Sequence, residues 1–108
     1  MEAKNFTLVC DILFYEQKGL AYPILIRYPI KNTIRLSCWL ENSTGSTPSE
    51  IRIRELVHPG QYYEVEIVVA GQAHFSSNMA EPNAKVYFGT FPHPFGEGII
   101  KEVSVIER

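Results

Sequence analysis

The sequence predicts an all-β domain, either a barrel or a sandwich. Three observations carry that expectation. Apolar residues recur at every second position through most of the chain, which is the signature of a strand with one buried face. No stretch shows helical spacing of any consequence. Turn-forming residues separate the alternating runs at fairly regular intervals. The chain has 108 residues, 45% of them apolar. That suits one domain over residues 1–108, with a core large enough to need no disulfides or metal. No internal repeat, low-complexity tract or linker interrupts it.

The first strand is expected in "FTLVCDILFY", where Phe6, Leu8, Cys10, Ile12 and Phe14 share one face. The other face mixes Thr7, Asp11 and Tyr15 with Val9 and Leu13, so this strand is expected to be covered on both sides. A brief edge strand is expected around "PILI", residues 23–26. In "TIRLSCWL", Ile34, Leu36, Cys38 and Leu40 alternate with Arg35, Ser37 and Trp39. "ENSTGSTPSE", residues 41–50, reads as a polar loop, and "IRIR" after it as a second short edge strand. "VHPGQ" holds a Pro59-Gly60 turn, in which proline pre-sets one φ and glycine accepts a positive one. In "YYEVEIVVA", Tyr63, Val65, Ile67 and Val69 form the apolar face, and Glu64 and Glu66 the solvated one. "SSNMAEPNA" is a loop, "AKVYFGTF" a strand of less clean alternation, and "GIIKEVSVIER" the last strand. The count is six or seven strands.

"FPHPFGEGII", residues 91–100, admits two explanations. Glycine-spaced turns cradle phosphate when they follow a strand and open a helix, so that free amides face the anion. Here a strand follows, and neither a third glycine nor a Lys-Ser or Lys-Thr pair is present. The segment is therefore read as shaping the sheet. Pro92 and Pro94, which cannot donate ladder hydrogen bonds, are assigned to the connection. Gly96 and Gly98 are assigned to a bulge or a close backbone crossing.

The net charge of −2 leaves no strong electrostatic footprint for nucleic acid. Cys10 and Cys38 sit in apolar strand-like runs, no secretion signal precedes them, and no run approaches the roughly 20 apolar residues of a membrane helix. The expectation is a cytoplasmic protein with two buried thiols and no membrane association.

The order of motifs resembles the third, C-terminal domain of elongation factor Tu. "ELVHPGQYYEVEIVV" is similar to that family's Leu-x-x-Pro-Gly turn and following strand. "FGEGIIKEV" is similar to its Gly-x-Gly-Val-Val ending, and "KGLAYPILIRY" to its Gly-Gly-Arg-His-Thr-Pro segment and the tyrosine after it. The resemblance implies a closed antiparallel six-stranded Greek-key barrel. The family's GTPase domain and every phosphate-binding motif are missing, so GTP is not expected as a ligand. The resemblance also identifies positions that hold tRNA in the family, and here they have changed. Leu20 and Ala21 stand for an Arg-His pair, Glu64 for a basic residue, and "TFPHPF" for an arginine-bearing hairpin. Such changes remove phosphate contacts.

No convergent catalytic set is visible, so an enzyme is not expected. His58, His74 and His93 all lie in predicted loops without the spacing of zinc ligands, and no metal or other cofactor is expected. Inert buried thiols are expected at Cys10 and Cys38.

Two surfaces remain. "YPILIRYPI", residues 22–30, is too apolar for alternation alone to hide, and its prolines point to an edge. A partner-binding surface is therefore expected at Tyr22, Ile24, Ile26 and Tyr28, with Arg27 as polar orienter and with His93 and Phe95 from the second apolar loop. The competing reading has these side chains plug the barrel end. The partner would be another protein or a second copy of the chain, and a regulatory or immunity role by mimicry of the translation factor follows only from analogy. The alternative surface is basic. Arg27, Lys31, Arg35, Arg52 and Arg54, with aromatic neighbours, could bind RNA by stacking and phosphate contact.

Overall fold

The computed structural model describes residues 5–72, 75 and 79–105. Six strands run through them: β1 (Phe6–Phe14), β2 (Ile34–Leu40), β3 (Thr47–Arg52), β4 (Tyr62–Val69), β5 (Lys85–Thr90) and β6 (His93–Val105). All pairings are antiparallel. The sheet closes on itself in the order β1-β4-β3-β2-β5-β6, which leaves each strand flanked by two others.

Alternation explains where the core sits. Phe6, Leu8, Cys10, Ile12 and Phe14 of β1 are completely buried. They meet Ile51 of β3, Ile67 and Val69 of β4, Val86 and Phe88 of β5 and Ile100 of β6 in the barrel interior. Each fully buried side chain of this kind contributes roughly 1.5–3 kcal/mol relative to exposure. The outward residues of β1 (Thr7, Val9, Asp11 and Leu13) are half-buried, so the strand is partly covered on its outer side as well.

The glycines of β6 make room for two aromatic rings. Gly96 stands opposite Phe14 on one side and Phe88 on the other. A Cβ at Gly96 would lie 2.7 Å from the Leu13 carbonyl oxygen and 3.2 Å from Phe14 Cα. At Gly98 it would lie 2.8 Å from Ile12 Cγ2. Register shifts mark β-bulges nearby, between Phe88 and Gly89 in the β5–β6 pairing and between Val9 and Cys10 in the β1–β6 pairing. The extra residue at the first shift is Phe95. The Gly-Glu-Gly corner is thus a place where backbones and rings approach closely, and strand continues past Gly98.

Three local expectations are corrected. Residues 47–50, read as loop, belong to β3. Thr47 and Ser49 face inward, and their hydroxyls donate to the carbonyls of Ala70 and Leu36, so polar side chains occupy buried strand positions without an unmet hydrogen bond. Pro94, assigned to the connection, lies inside β6 at the bulge, where ladder donors are interrupted. Residues 23–26 form no strand. The nearest ladder contact is the isolated Ile30–Val57 bridge.

Candidate interaction surface

Residues 16–29 follow β1 and precede the Ile30–Val57 bridge. Their fixation is almost wholly through side chains. The Tyr28 hydroxyl donates to the Tyr15 carbonyl at 2.8 Å, and the Tyr22 hydroxyl to the Pro94 carbonyl at 2.6 Å. Gln17 brackets the segment by donating to the Tyr22 carbonyl at 2.8 Å and accepting from the Ile24 amide at 2.6 Å. Tyr22 also lies against His93, with ring centroids 4.6 Å apart. Burial raises the Tyr28 phenol to about 12 and also raises that of Tyr22, so both hydroxyls remain donors over the whole neutral range.

Exposure along this segment alternates. Tyr22, Ile24, Ile26 and Tyr28 are half-buried, whereas Ala21, Pro23, Leu25 and Arg27 are exposed. Ile26 and Tyr28 pack against the barrel core, and Phe14 and Tyr28 meet edge to face at 6.5 Å. The inward row therefore covers the core. Leu25 points the other way and is 77% exposed, the most exposed large apolar residue in the described structure. Leu56, beside the bridge residue Val57, is 55% exposed. A shallow groove of about 500 Å³ runs along residues 25–34. His93 is exposed, but Phe95 is only 3% exposed and so offers packing, with almost no contact surface.

The basic residues are spread over several environments. Arg27, Lys31, Arg35, Arg52 and Arg54 are all exposed. Arg52 Nε lies 3.7 Å from a Glu66 carboxylate oxygen. Arg35 borders a groove of about 580 Å³ together with Ser37, Pro48 and Glu50, and Arg54 lines another with Glu55, Glu64 and Glu66. Carboxylates are thus interleaved with the cations. Glu64 and Glu66 are themselves engaged, Glu64 with Lys101 and Glu66 with Arg52.

His58 is exposed in the loop before β4, and His74 lies outside the described residues. Among the described residues no group of three or more His, Cys, Asp or Glu side chains could hold a metal ion. No helix among them is long and apolar enough to cross a membrane. Cys10 and Cys38 are free and buried. Burial pushes both thiols up to about 12, reinforced at Cys10 by its neighbour Cys38 and opposed at Cys38 by the nearby Ser49 hydroxyl. Neither can supply a thiolate near neutral pH.

One feature escaped sequence reasoning. Trp39, on the outward face of β2, is 6% exposed because Tyr87 and Phe91 cover it, with ring centroids at 6.2 and 5.1 Å. Lys85 sits 5.2 Å from the Tyr87 ring centre and 3.3 Å from Glu97, which accepts a hydrogen bond from Tyr15. Trp39 was visible on the outward face in the strand alternation, but its adjacency to Tyr87 depends on the β2–β5 register. Neither a protein-family model nor a curated protein matches this chain.

Proposed function

We propose that this chain is a non-catalytic cytoplasmic protein-interaction module. Its barrel is of the Greek-key, elongation-factor-Tu third-domain kind, and its contact surface is the segment 22–30. The strand order supports the barrel type: β2, β3 and β4 are consecutive neighbours, and β1 returns beside β4. Two free buried thiols support a reducing compartment. The observation that carries the contact surface is Leu25, which stands 77% exposed on a segment whose inward row already covers the core. A largely exposed leucine on a segment held in place by side-chain hydrogen bonds is a ready apolar anchor, with Arg27 beside it as orienter. The ring contact of Tyr22 with His93 ties the start of the segment to β6.

RNA binding through Arg27, Lys31, Arg35, Arg52 and Arg54 is the competing reading. It is supported by the lack of any ion pair to Arg27, Lys31, Arg35 or Arg54 among the described residues. One experiment separates the two. Tagged wild-type protein and the Leu25→Glu variant are used to capture partners from extract at low and high salt, with and without ribonuclease. The interaction reading expects a protein that survives high salt and ribonuclease and is lost with Leu25→Glu. A ligand lost to ribonuclease or to salt, yet retained by Leu25→Glu, establishes the RNA reading instead, because phosphate contacts weaken steeply with salt.

A further inference from the structure

The segment 23–29 carries unpaired backbone groups as well as an exposed leucine. Over residues 23–28 its exposure has period two, as in an extended chain. Among the described residues, the amides of Leu25, Ile26, Arg27 and Tyr28 have no hydrogen-bond acceptor, and no donor reaches the carbonyls of residues 23–29. An extended stretch with open donors and acceptors is a template for another strand. Only the Ile24 amide is already occupied, by the Gln17 side chain.

The sequence of this edge also suits a particular occupant. Pro23-Ile24-Leu25-Ile26-Arg27-Tyr28-Pro29 is nearly palindromic in character about Ile26. Prolines stand three residues away on each side, large apolar side chains two away, and the exposed Leu25 and Arg27 one away. We infer that segment 24–28 pairs antiparallel with the same segment of a second copy of this chain, about a two-fold axis through Ile26. This deepens the proposed function by naming the occupant and the bonding of its contact surface.

In this register Leu25 faces the second copy's Arg27, so the two arginines do not face each other, and each leucine packs on an arginine stem. Leu25 and Arg27 then exchange amide-to-carbonyl bonds in both directions, four in all. This phase leaves the occupied Ile24 amide unused. Pro23 and Pro29 end the ladder on both sides, since neither has an N–H to offer. A two-fold contact of this kind is isologous and closes as a dimer, with no open fibre. It is short, so dimerisation should be weak and concentration-dependent.

The test uses the full chain. Sedimentation velocity over a dilution series reads the oligomer, and amide hydrogen exchange at the two ends of the series reads residues 24–28. The expected result is a monomer–dimer shift with concentration, accompanied by slowed exchange of the Leu25 and Arg27 amides. Arg27→Pro deletes one N–H per chain, hence two of the four bonds, at an exposed position where proline suits an extended backbone. It should abolish the shift, while Arg27→Ala, which keeps the N–H, should retain it. An unchanged circular dichroism melt shows that Arg27→Pro still folds. Should it not fold, the exchange rates of Leu25 and Arg27 in wild type decide alone.

A monomer at every concentration overturns the self-pairing, and the capture experiment with Leu25→Glu then still stands or fails independently. A dimer lost in both Arg27→Pro and Arg27→Ala, or one without slowed exchange at Leu25 and Arg27, also overturns it. The contact would then run through side chains.

Discussion

Gly96→Ala is expected to destabilise the barrel severely for so small a change. The added methyl would sit 2.7 Å from the Leu13 carbonyl oxygen and 3.2 Å from Phe14 Cα, so two of its nearest neighbours are backbone. That backbone belongs to β1, which is laddered to β4 on one side and β6 on the other and has no direction of retreat. The third neighbour is the Phe14 ring, which is completely buried. Overpacking of this kind costs about 2–3 kcal/mol. For a domain of this length, 1 kcal/mol moves the melting temperature by about 4 °C, so a fall of about 8–12 °C is expected. Gly19→Ala is the comparison. Nothing lies within 4 Å of a Cβ there, and only the positive φ of 87° resists the substitution, at a cost of about 1–2 kcal/mol. Thermal unfolding followed by circular dichroism and by calorimetry reads both variants. A Gly96→Ala protein melting within about 2 °C of wild type would refute the close-crossing account of the Gly-Glu-Gly corner.

Four further outcomes follow from the same structure. Phe88→Ala empties a completely buried ring site in the middle of the barrel and should cost about 3–5 kcal/mol, measured by urea unfolding. Tyr28→Phe removes the hydroxyl that donates to the Tyr15 carbonyl; it should cost about 1 kcal/mol and speed hydrogen exchange around Tyr15. Cys10, Cys38 and Tyr28 all have their acid groups raised to about 12 by burial, from ordinary values of 9.0 for the thiols and 10.0 for the phenol. The folded state therefore holds protons that the unfolded chain releases. Stability from these groups is complete below pH 9 and falls as pH rises from there to about 12, which a pH series of urea midpoints checks. Both thiols should resist alkylation at pH 8 until denaturant is added.

Much of the barrel was legible because one face of each long strand is apolar. β1 and β4 could be placed almost to the residue, since Phe6 to Phe14 and Tyr63 to Val69 keep strict alternation. The first half of β3 was hidden because its inward positions there are Thr47 and Ser49, whose burial depends on carbonyls supplied by Ala70 and Leu36, residues far away in the chain; the second half showed through Ile51. Local composition carries no trace of such distant acceptors. Segment 23–26 failed in the opposite sense: its alternation is real, but no neighbouring strand reaches it. The contact surface was half legible. Apolar excess in 22–30 was evident, while the division into an inward row and an exposed Leu25 required the packing of Ile26 and Tyr28 on the core. Phe95 looked exposable as part of a loop, but a one-residue register shift turned it into the structure.

The neighbours of β1 dictate the order in which this molecule can assemble. β1 is bonded to β4 and β6 alone, so once made it has no ladder partner until residues 62–69 exist, and lacks its second until residues 93–105 follow. Meanwhile β2, β3 and β4 can zip as successive hairpins. Such dependence on remote pairing slows folding. The nascent chain must carry the greasy row Phe6-Leu8-Cys10-Ile12-Phe14 unshielded until β4 and β6 are made, the interval in which a chaperone would find this protein most in need of it.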